Sequence, residues 1–224
     1  MPNITLYRVN NACSLAPHIL LRELQISFTP IRLVFGPDGL YAADGSLSSA
    51  DYNKVNQNSQ VPTLVVDGSV VTELPAILTC IADMAPDRKL LGTTPMEKVR
   101  VYEWMNWLSG TMHGWAWGSV LRPARFVGDA EEMYETVRET GRKKIKACYE
   151  RVESKMDGKF AVGDRLTAVD FYLYVFWRWG SKHEFKVNEK YPKWRNVMMQ
   201  VEKMDSVRKA LEEEDQPLQF ASNL

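Results

Sequence analysis

The sequence predicts an α/β domain at residues 1–85, followed by an all-helical domain at residues 95–224. Segments of strand type and of helical type alternate in the first part, which is typical of an α/β domain. From Met96 onward the apolar residues recur only at helical spacing. Between the two parts, Ala85-Pro86-Asp87-Arg88 and Thr93-Thr94-Pro95 have the composition expected at the two ends of a linker.

The α/β domain is predicted to contain one small mixed sheet with helices packed on it. In chain order, the expected elements are a strand at 4–9, a helix at 17–24, strands at 28–35, 63–66 and 70–72, and a helix at 75–84. Two strands joined by a helix most simply lie parallel. The turn signal Asp67-Gly68-Ser69 then adds a hairpin of antiparallel strands.

Residues 36–50 carry no predicted element. They are rich in Gly, Ser, Asp and Ala, and the segment is long for a plain connection. We interpret it as a flap or a mobile functional segment.

The helical domain is predicted to contain four helices, of which the first two are long. They lie at 96–117, 130–156, 168–179 and 192–204. The helix at 168–179 is apolar nearly all round, which predicts that it is the buried centre of the domain. It begins at Thr167-Ala168-Val169-Asp170, a variant of the capping box and therefore a folding signal. The helix at 96–117 has apolar side chains on more than one face, namely Tyr102, Trp104, Met105 and Trp107. A two-fold homodimer would cover the face that the domain itself does not use.

The composition is that of an ordinary globular protein. Lys+Arg and Asp+Glu both number 28, so a neutral chain offers no general attraction for nucleic acid or anionic membranes. No apolar run approaches the roughly 20 residues that span a bilayer, and the first residues lack a signal-peptide pattern. Three widely spaced cysteines indicate a reducing compartment, and no Cys/His spacing suits a metal. We therefore expect a cytoplasmic protein without metal, nucleic-acid or membrane partners.

The first candidate site is Cys13-Ser14, between the first strand and the first helix. A thiol there lies near free backbone N–H groups and the positive end of the helix dipole, which favour the reactive thiolate. Alternatively, Cys13 is a small buried side chain and Ser14 only caps the helix. The spacing alone does not decide between these interpretations.

Two further candidates lie at the ends of predicted strands. A cis bond between Val61 and Pro62 would turn the Val61 backbone toward an extended peptide, although a trans proline at a strand start is the commoner case. Glu73, before Leu74 and Pro75, places a carboxylate at a helix N-terminus. It either complements the helix dipole or holds a ligand ammonium, while the helix N-terminus holds a ligand carboxylate.

The last candidates follow the first helix of the second domain. His113 lies in an aromatic segment with Trp115 and Trp117. Core packing is the default interpretation of such a histidine. The two tryptophans suggest an apolar substrate pocket, although aromatic residues at helical spacing belong more often to a core.

These motifs occur together in one family. The segment 12–19, Gln60-Val61-Pro62 with the Asp67-Gly68 hairpin, and Thr72-Glu73 with Ala76-Ile77 strongly resemble glutathione transferases. The cysteine in the first motif resembles the bacterial beta class most closely. The resemblance continues through Ala82-Asp83, Pro86-Asp87-Arg88, Glu103-Trp104 with Asn106, His113, and Gly163-Asp164 with Thr167 and Asp170. It therefore spans most of the chain.

The resemblance implies a thioredoxin-like fold for the first domain, a homodimer, and glutathione as co-substrate. It implies glutathione-binding roles for Val61, Pro62, Glu73, Leu74 and Asn106, and catalytic roles for Cys13, Ser14 and His113. Val61 would pair with the cysteinyl unit beside a cis Pro62, and Glu73 with the Leu74 N–H would hold the γ-glutamyl end. Asn106 matches a position near the glutathione of the partner subunit.

The chain departs from the pattern of the family at several positions. Leu74-Pro75 stands where most relatives have Ser or Gly after the Glu, so a hydroxyl and one N–H donor are missing. A hydrogen bond to a charged group is worth roughly 1.5–3 kcal/mol, which predicts glutathione binding weaker by at least about tenfold. Residues 36–53 contain no Lys or Arg for the glycyl carboxylate, and Gly114 replaces a Lys found in some relatives.

The resemblance therefore predicts a glutathione transferase that conjugates glutathione to hydrophobic electrophilic small molecules, with a role in detoxification. The electrophile would lie near Trp115 and Trp117. Two alternatives remain open. One is a reductase, isomerase or specialised biosynthetic enzyme that uses Cys13, and the other is a non-enzymatic binding module of the same fold. The candidate residues taken together argue against the second alternative.

Overall fold

The computed structural model describes residues 2–220 and contains one five-stranded mixed sheet in the order β3-β2-β1-β4-β5. The strands are β1 Ile4–Arg8, β2 Thr29–Gly36, β3 Gly39–Ala42, β4 Thr63–Val66 and β5 Ser69–Val71. β1 and β2 are parallel, and each of the other neighbouring pairs is antiparallel. The predicted mixed sheet is therefore confirmed.

The helices follow in chain order. They are α1 Leu15–Glu23, α2 Ser49–Val55, α3 Leu74–Asp83, α4 Pro95–Trp107, α5 Gly118–Leu121, α6 Ala124–Val127, α7 Tyr134–Lys155, α8 Ala168–Lys182, α9 Val187–Lys190, α10 Pro192–Glu202 and α11 Asp205–Glu213. A π-helical segment at Leu108–Trp117 continues α4, and short 3-10 turns lie at Pro86–Arg88 and Glu131–Met133. Within residues 2–220, no helix has the length and apolar character needed to cross a membrane.

The chain forms two compact units. Among the described residues, the first comprises 2–91 together with 199–220, and the second comprises Gly92–Met198. The sequence assigned everything from residue 95 to one helical domain. The C-terminal segment instead belongs to the α/β unit, because α11 packs against α1.

Residues 36–50 are not a simple flap, contrary to our interpretation of the sequence. They contain the β3 strand, which pairs with β2, and the first two residues of α2. Leu40 and Ala42 are buried in an apolar cluster with Tyr7, Leu33 and Tyr52. The segment is therefore fixed to the sheet by apolar packing, because alternate residues of β3 point into that cluster.

In the second unit, α8 is the buried centre that the sequence predicts. All of its residues from Ala168 to Gly180 are buried. Its capping box is formed as predicted, with Asp170 accepting hydrogen bonds from the Thr167 N–H at 2.8 Å and the Thr167 hydroxyl at 3.0 Å. Asp170 also accepts the Ala161 N–H at 2.8 Å, so the carboxylate ties the loop before α8 to the helix.

Candidate functional site

Three segments of the α/β unit meet at one end of the sheet. The residue pairs Tyr7–Thr63 and Leu64–Val71 show that the end of β1, the start of β4 and the end of β5 lie side by side. The turn with Cys13 follows β1, Val61 precedes β4, and Glu73 follows β5. The sheet topology therefore gathers the candidate residues of this unit, although they are far apart in the sequence.

Cys13 lies in the turn between β1 and α1. Its side chain is 6% exposed, and its thiol donates a hydrogen bond to the Val61 carbonyl oxygen at 3.3 Å. This contact directly joins the turn after β1 to the residue that precedes Pro62 and β4. The thiol also lies just before α1, where the helix dipole favours negative charge on sulfur.

The two other cysteines lie in surroundings that raise the pKa of their thiols. Burial and the nearby Asp83 carboxylate raise the pKa of the Cys80 thiol. Burial raises the pKa of the Cys148 thiol to about 11. Neither environment favours the thiolate, so Cys13 is the better candidate for a reactive cysteine.

Ser14 is at the N-cap position of α1, but its side chain does not cap the helix. Its hydroxyl accepts the Val9 N–H and donates to the Val9 carbonyl, both at 3.1 Å. Ser14 is also fully buried. Its hydroxyl therefore fixes the turn between β1 and α1.

The Val61–Pro62 peptide bond is cis, as the resemblance implies. Two buried side chains that sequence reasoning missed hold this turn. Tyr52 and Asn56 donate hydrogen bonds to the Gln60 carbonyl at 2.6 and 2.9 Å, and both contact the Thr63 hydroxyl at 2.9 Å. Burial raises the pKa of Tyr52, so its hydroxyl keeps the proton that it donates. No local sequence signal marks these residues, because their role depends on tertiary contacts.

Glu73 is at the N-cap of α3 and is exposed. Its φ of 64° lies in the left-handed region, which costs free energy for a residue with a side chain. Such strained positions cluster at ligand sites. Leu74, the first residue of α3, is buried, and Pro75 follows it. The first N–H groups of α3 have no partner within the helix, and they carry the positive end of its dipole.

His113 belongs to the second unit, in the π-helical segment. Its imidazole lies among the rings of Tyr172, Phe176 and Trp179, and its Nδ1 is 3.4 Å from the Tyr172 hydroxyl. Burial, aided by the positive charges of Arg122 and Arg125, lowers the pKa of His113 to about 4. The imidazole is therefore neutral at physiological pH.

The structure separates the two candidate pocket tryptophans. Trp115 is 47% exposed, with the Lys144 ammonium 4.1 Å from its ring centroid. Trp117 is fully buried and packs edge-on against Trp179 and Phe185. Trp117 is thus a core residue of the helical unit, which corrects its assignment to a substrate pocket. A helical aromatic pattern alone does not distinguish the two environments.

Asn106 lies on an exposed face of α4. On the same helix, Met96, Val99 and Tyr102 are also exposed, whereas Trp104 and Met105 are buried. The spacing of three residues places Met96, Val99 and Tyr102 along one side of the helix. α4 therefore carries apolar residues on two faces, as the sequence predicts.

In residues 2–220, no three His, Cys, Asp or Glu side chains are grouped so that they could hold a metal ion. The groups that the described residues present at the end of the sheet are a thiol, a carboxylate and two helix N-termini. A carboxylate suits a ligand ammonium, and free N–H groups at a helix N-terminus suit a ligand carboxylate or thiolate.

Comparison with known proteins identifies the family. The model for the N-terminal domain of glutathione S-transferase matches residues 12–84, and the model for the C-terminal domain matches residues 110–205. Glutathione S-transferase GstA of Escherichia coli O157:H7 is 34% identical over 171 residues, which cover 75% of this chain and 78% of the relative.

Solved structures agree with this result. A glutathione transferase homologue from Sulfitobacter, with bound glutathione, has a TM-score of 0.85 and 26% identity, with 95% of this chain and 99% of that chain covered. A beta-class glutathione S-transferase from Sphingomonas chungbukensis has a TM-score of 0.78 and 27% identity, with 94% of this chain and 98% of that chain covered. The fold, the gathered residues and these relatives lead to one conclusion: the chain belongs to the glutathione S-transferase family.

Proposed function

We propose that this protein conjugates glutathione to hydrophobic electrophilic small molecules. The observation that carries the proposal is the meeting of Cys13, Val61 and Glu73 at one end of the sheet, in a chain of the glutathione S-transferase family. The glutathione bound to the similar Sulfitobacter protein supports glutathione as the co-substrate.

In this proposal, glutathione lies along the end of the sheet. The Val61 backbone, beside Pro62, pairs with the cysteinyl unit. Glu73 binds the ammonium of the γ-glutamyl end, and the Leu74 N–H at the start of α3 binds its carboxylate. Asn106, exposed on α4, approaches the glutathione of a partner subunit.

In the chemical step, the glutathione thiol loses its proton to solvent and the thiolate attacks an electrophilic carbon. A C–S bond forms, and with an aromatic electrophile the bond to the leaving group breaks, so that this group departs as an anion with the electron pair. The N-terminus of α1 favours the thiolate over the thiol, which lowers the pKa of the nucleophile. Ser14 contributes by fixing this turn through its bonds to Val9. In the helical unit, His113 and Trp115 are the candidates for contact with the electrophile. Because His113 is neutral, it offers a hydrogen bond rather than a charge.

A second function is supported by Cys13 itself. As a thiolate at a helix N-terminus, Cys13 attacks the glutathione sulfur of a mixed disulfide, and the other thiol is released. A second glutathione then attacks the Cys13–glutathione disulfide, which restores the Cys13 thiol and gives oxidised glutathione. Assistance of an isomerisation is the other reaction that such a thiolate supports. Either reaction requires the Cys13 sulfur, whereas conjugation requires only the sulfur of glutathione.

The two functions are separated by assaying wild type and Cys13→Ala. We expect turnover of a generic aromatic electrophile with glutathione in both proteins, because the nucleophile belongs to the co-substrate. If only disulfide reduction is found, and Cys13→Ala abolishes it, the second function replaces the first. If neither reaction occurs, the chain is a binding module of the same fold.

We further propose that the protein acts as a cytoplasmic homodimer in detoxification. The exposed residues Met96, Val99 and Tyr102 of α4 support the dimer, because a two-fold axis lets one apolar strip cover its own copy. The widely spaced free cysteines support a reducing compartment.

A further inference from the structure

The C-terminal segment reaches the loop that carries Cys13. It contains the acidic run Glu212-Glu213-Glu214-Asp215, and runs of acidic residues usually lie in solvent. Glu214 is instead fully buried, and Glu213 is partly buried. A buried carboxylate requires partners, and these partners identify its role.

The segment binds the chain where it leaves β1. The Glu214 carboxylate accepts the Asn11 N–H at 2.8 Å, and the Glu214 carbonyl accepts the Asn10 side-chain amide at 2.8 Å. The Glu213 carbonyl accepts Arg8 at 3.0 Å. Asn11 has a φ of 58°, a left-handed conformation that a hydrogen-bonded partner helps to retain. Asn11 is two residues before Cys13, so Glu214 holds the backbone that leads directly to the thiol.

The charge of Glu214 is balanced within the same unit. His18, fully buried on α1, places Nδ1 2.9 Å from Glu214 and Nε2 2.7 Å from Glu213. Arg8 lies 3.8 Å from Glu214, and Arg22 lies 2.8 Å from Glu213. Two carboxylates thus face two guanidinium groups and an imidazole. Because each carboxylate contacts both the imidazole and a guanidinium group, these contacts hold the cluster in one geometry.

We propose that Glu214, supported by His18 and Arg8, is a positioning residue for the Cys13 loop. It acts through Asn10 and Asn11, while Ser14 holds the other end of the turn at Val9. Docking of the C-terminal segment therefore sets the position of the thiol and of the N–H groups that begin α1. The inference rests on the proposed function, in which these N–H groups favour the glutathione thiolate.

The test compares Glu214→Leu and Glu214→Gln with the control Glu212→Gln. Glu212 is the exposed neighbour in the same acidic run. The first readout is the rate at which a bulky maleimide modifies Cys13, located by mass spectrometry. Cys13 is nearly inaccessible, so this rate reports opening of the loop. Cys148, which is also buried, reports global unfolding in the same sample.

In Glu214→Leu we expect the Cys13 rate to rise about tenfold or more, because a hydrogen bond to a charged group is lost. The Cys148 rate should stay at the wild-type value. Glu214→Gln should show a smaller rise, of about threefold, because its amide oxygen still accepts the Asn11 N–H. Glu212→Gln should match wild type. If Glu214→Leu does not fold, the Cys13 modification rate in Glu214→Gln decides the test.

The second readout is conjugation of glutathione to an aromatic electrophile. The kcat should fall in the order wild type, Glu214→Gln, Glu214→Leu, with Glu212→Gln unchanged. An unchanged Cys13 rate in the Glu214 variants, or a parallel rise at Cys13 and Cys148, would overturn the proposal. The labelling uses neither glutathione nor electrophile. Absence of conjugation in wild type therefore refutes the proposed function and leaves the labelling result to decide on Glu214.

Discussion

His113 shows how the surroundings of one residue limit what it can do. Its ring lies among three aromatic side chains, and burial lowers its pKa to about 4. An imidazolium ion would stabilise a thiolate by charge, but His113 does not carry that charge near pH 7. If His113 contributes to conjugation, it must therefore do so through a hydrogen bond or through packing contacts of its neutral ring.

The lowered pKa also predicts how stability depends on pH. In the unfolded chain the imidazole titrates near 6.5, whereas in the folded chain it titrates near 4. Between these values the unfolded state binds more protons, so the contribution of His113 to stability falls as the pH falls from about 6.5 to about 4. Urea unfolding at pH 7 and pH 5 should therefore show a smaller loss of stability in His113→Gln than in wild type. Equal losses in the two proteins would contradict the buried, neutral imidazole.

Sequence motifs located the residues of the α/β unit that the sheet gathers, namely Cys13, Val61 and Glu73. They did so because each motif sits at a strand end or a helix start, where local sequence signals are strong. Trp117 was misplaced, since burial depends on the partners of a residue and not on its own type. The contact between Glu214 and Asn11 spans 203 positions, and no local pattern records such a pair.

At the scale of elements, the strands and long helices were predictable from apolar periodicity and turn signals. The exception is β3, which lies in the segment interpreted as a flap. Its burial depends on Leu40 and Ala42 packing against residues of β1, β2 and α2. The local sequence pattern of such a strand is weak, because the strand is short and its packing partners lie in three other elements.

Leu74, at the start of α3, should affect the affinity for glutathione. Leu74→Ser adds a hydroxyl where the γ-glutamyl carboxylate is proposed to bind, and should tighten glutathione binding about tenfold. The same change removes a buried side chain, so the protein should also become less stable by roughly 2–4 kcal/mol. Leu74→Ala is the matched control, because it loses similar packing and gains no hydroxyl. Calorimetry that finds equal affinity in Leu74→Ser and Leu74→Ala would reject this explanation of the motif.

In the whole molecule, α11 and the residues that directly follow it, Glu214 and Asp215, complete the α/β unit. The sequence placed them in the helical domain because they follow it and are themselves helical. The ion pairs of Glu213 and Glu214 with residues of β1 and α1 explain why they belong to the first unit. The sequence therefore predicts whether a segment is a helix or a strand better than it predicts which other elements that segment packs against.

The exposed apolar face of α4 predicts how the protein assembles. Tyr102 is 71% exposed on the apolar face of α4. Light scattering should give about twice the chain mass of 25.7 kDa for wild type. The double variant Val99→Glu/Tyr102→Glu should be monomeric, because buried like charges would face each other across the axis. Leu121→Glu changes an exposed apolar residue elsewhere and should remain dimeric. A wild-type monomer at micromolar concentration would refute the dimer.

Glutathione is proposed to bind at the end of the sheet where Cys13, Val61 and Glu73 meet. Calorimetric titration of glutathione into wild type and Glu73→Gln tests it most directly, with Glu212→Gln as the control. We expect one glutathione per chain in wild type and in the control. In Glu73→Gln the affinity should be at least about tenfold weaker, because the partner of the ammonium has lost its charge. No binding to wild type, or equal affinity in Glu73→Gln, would contradict the claim.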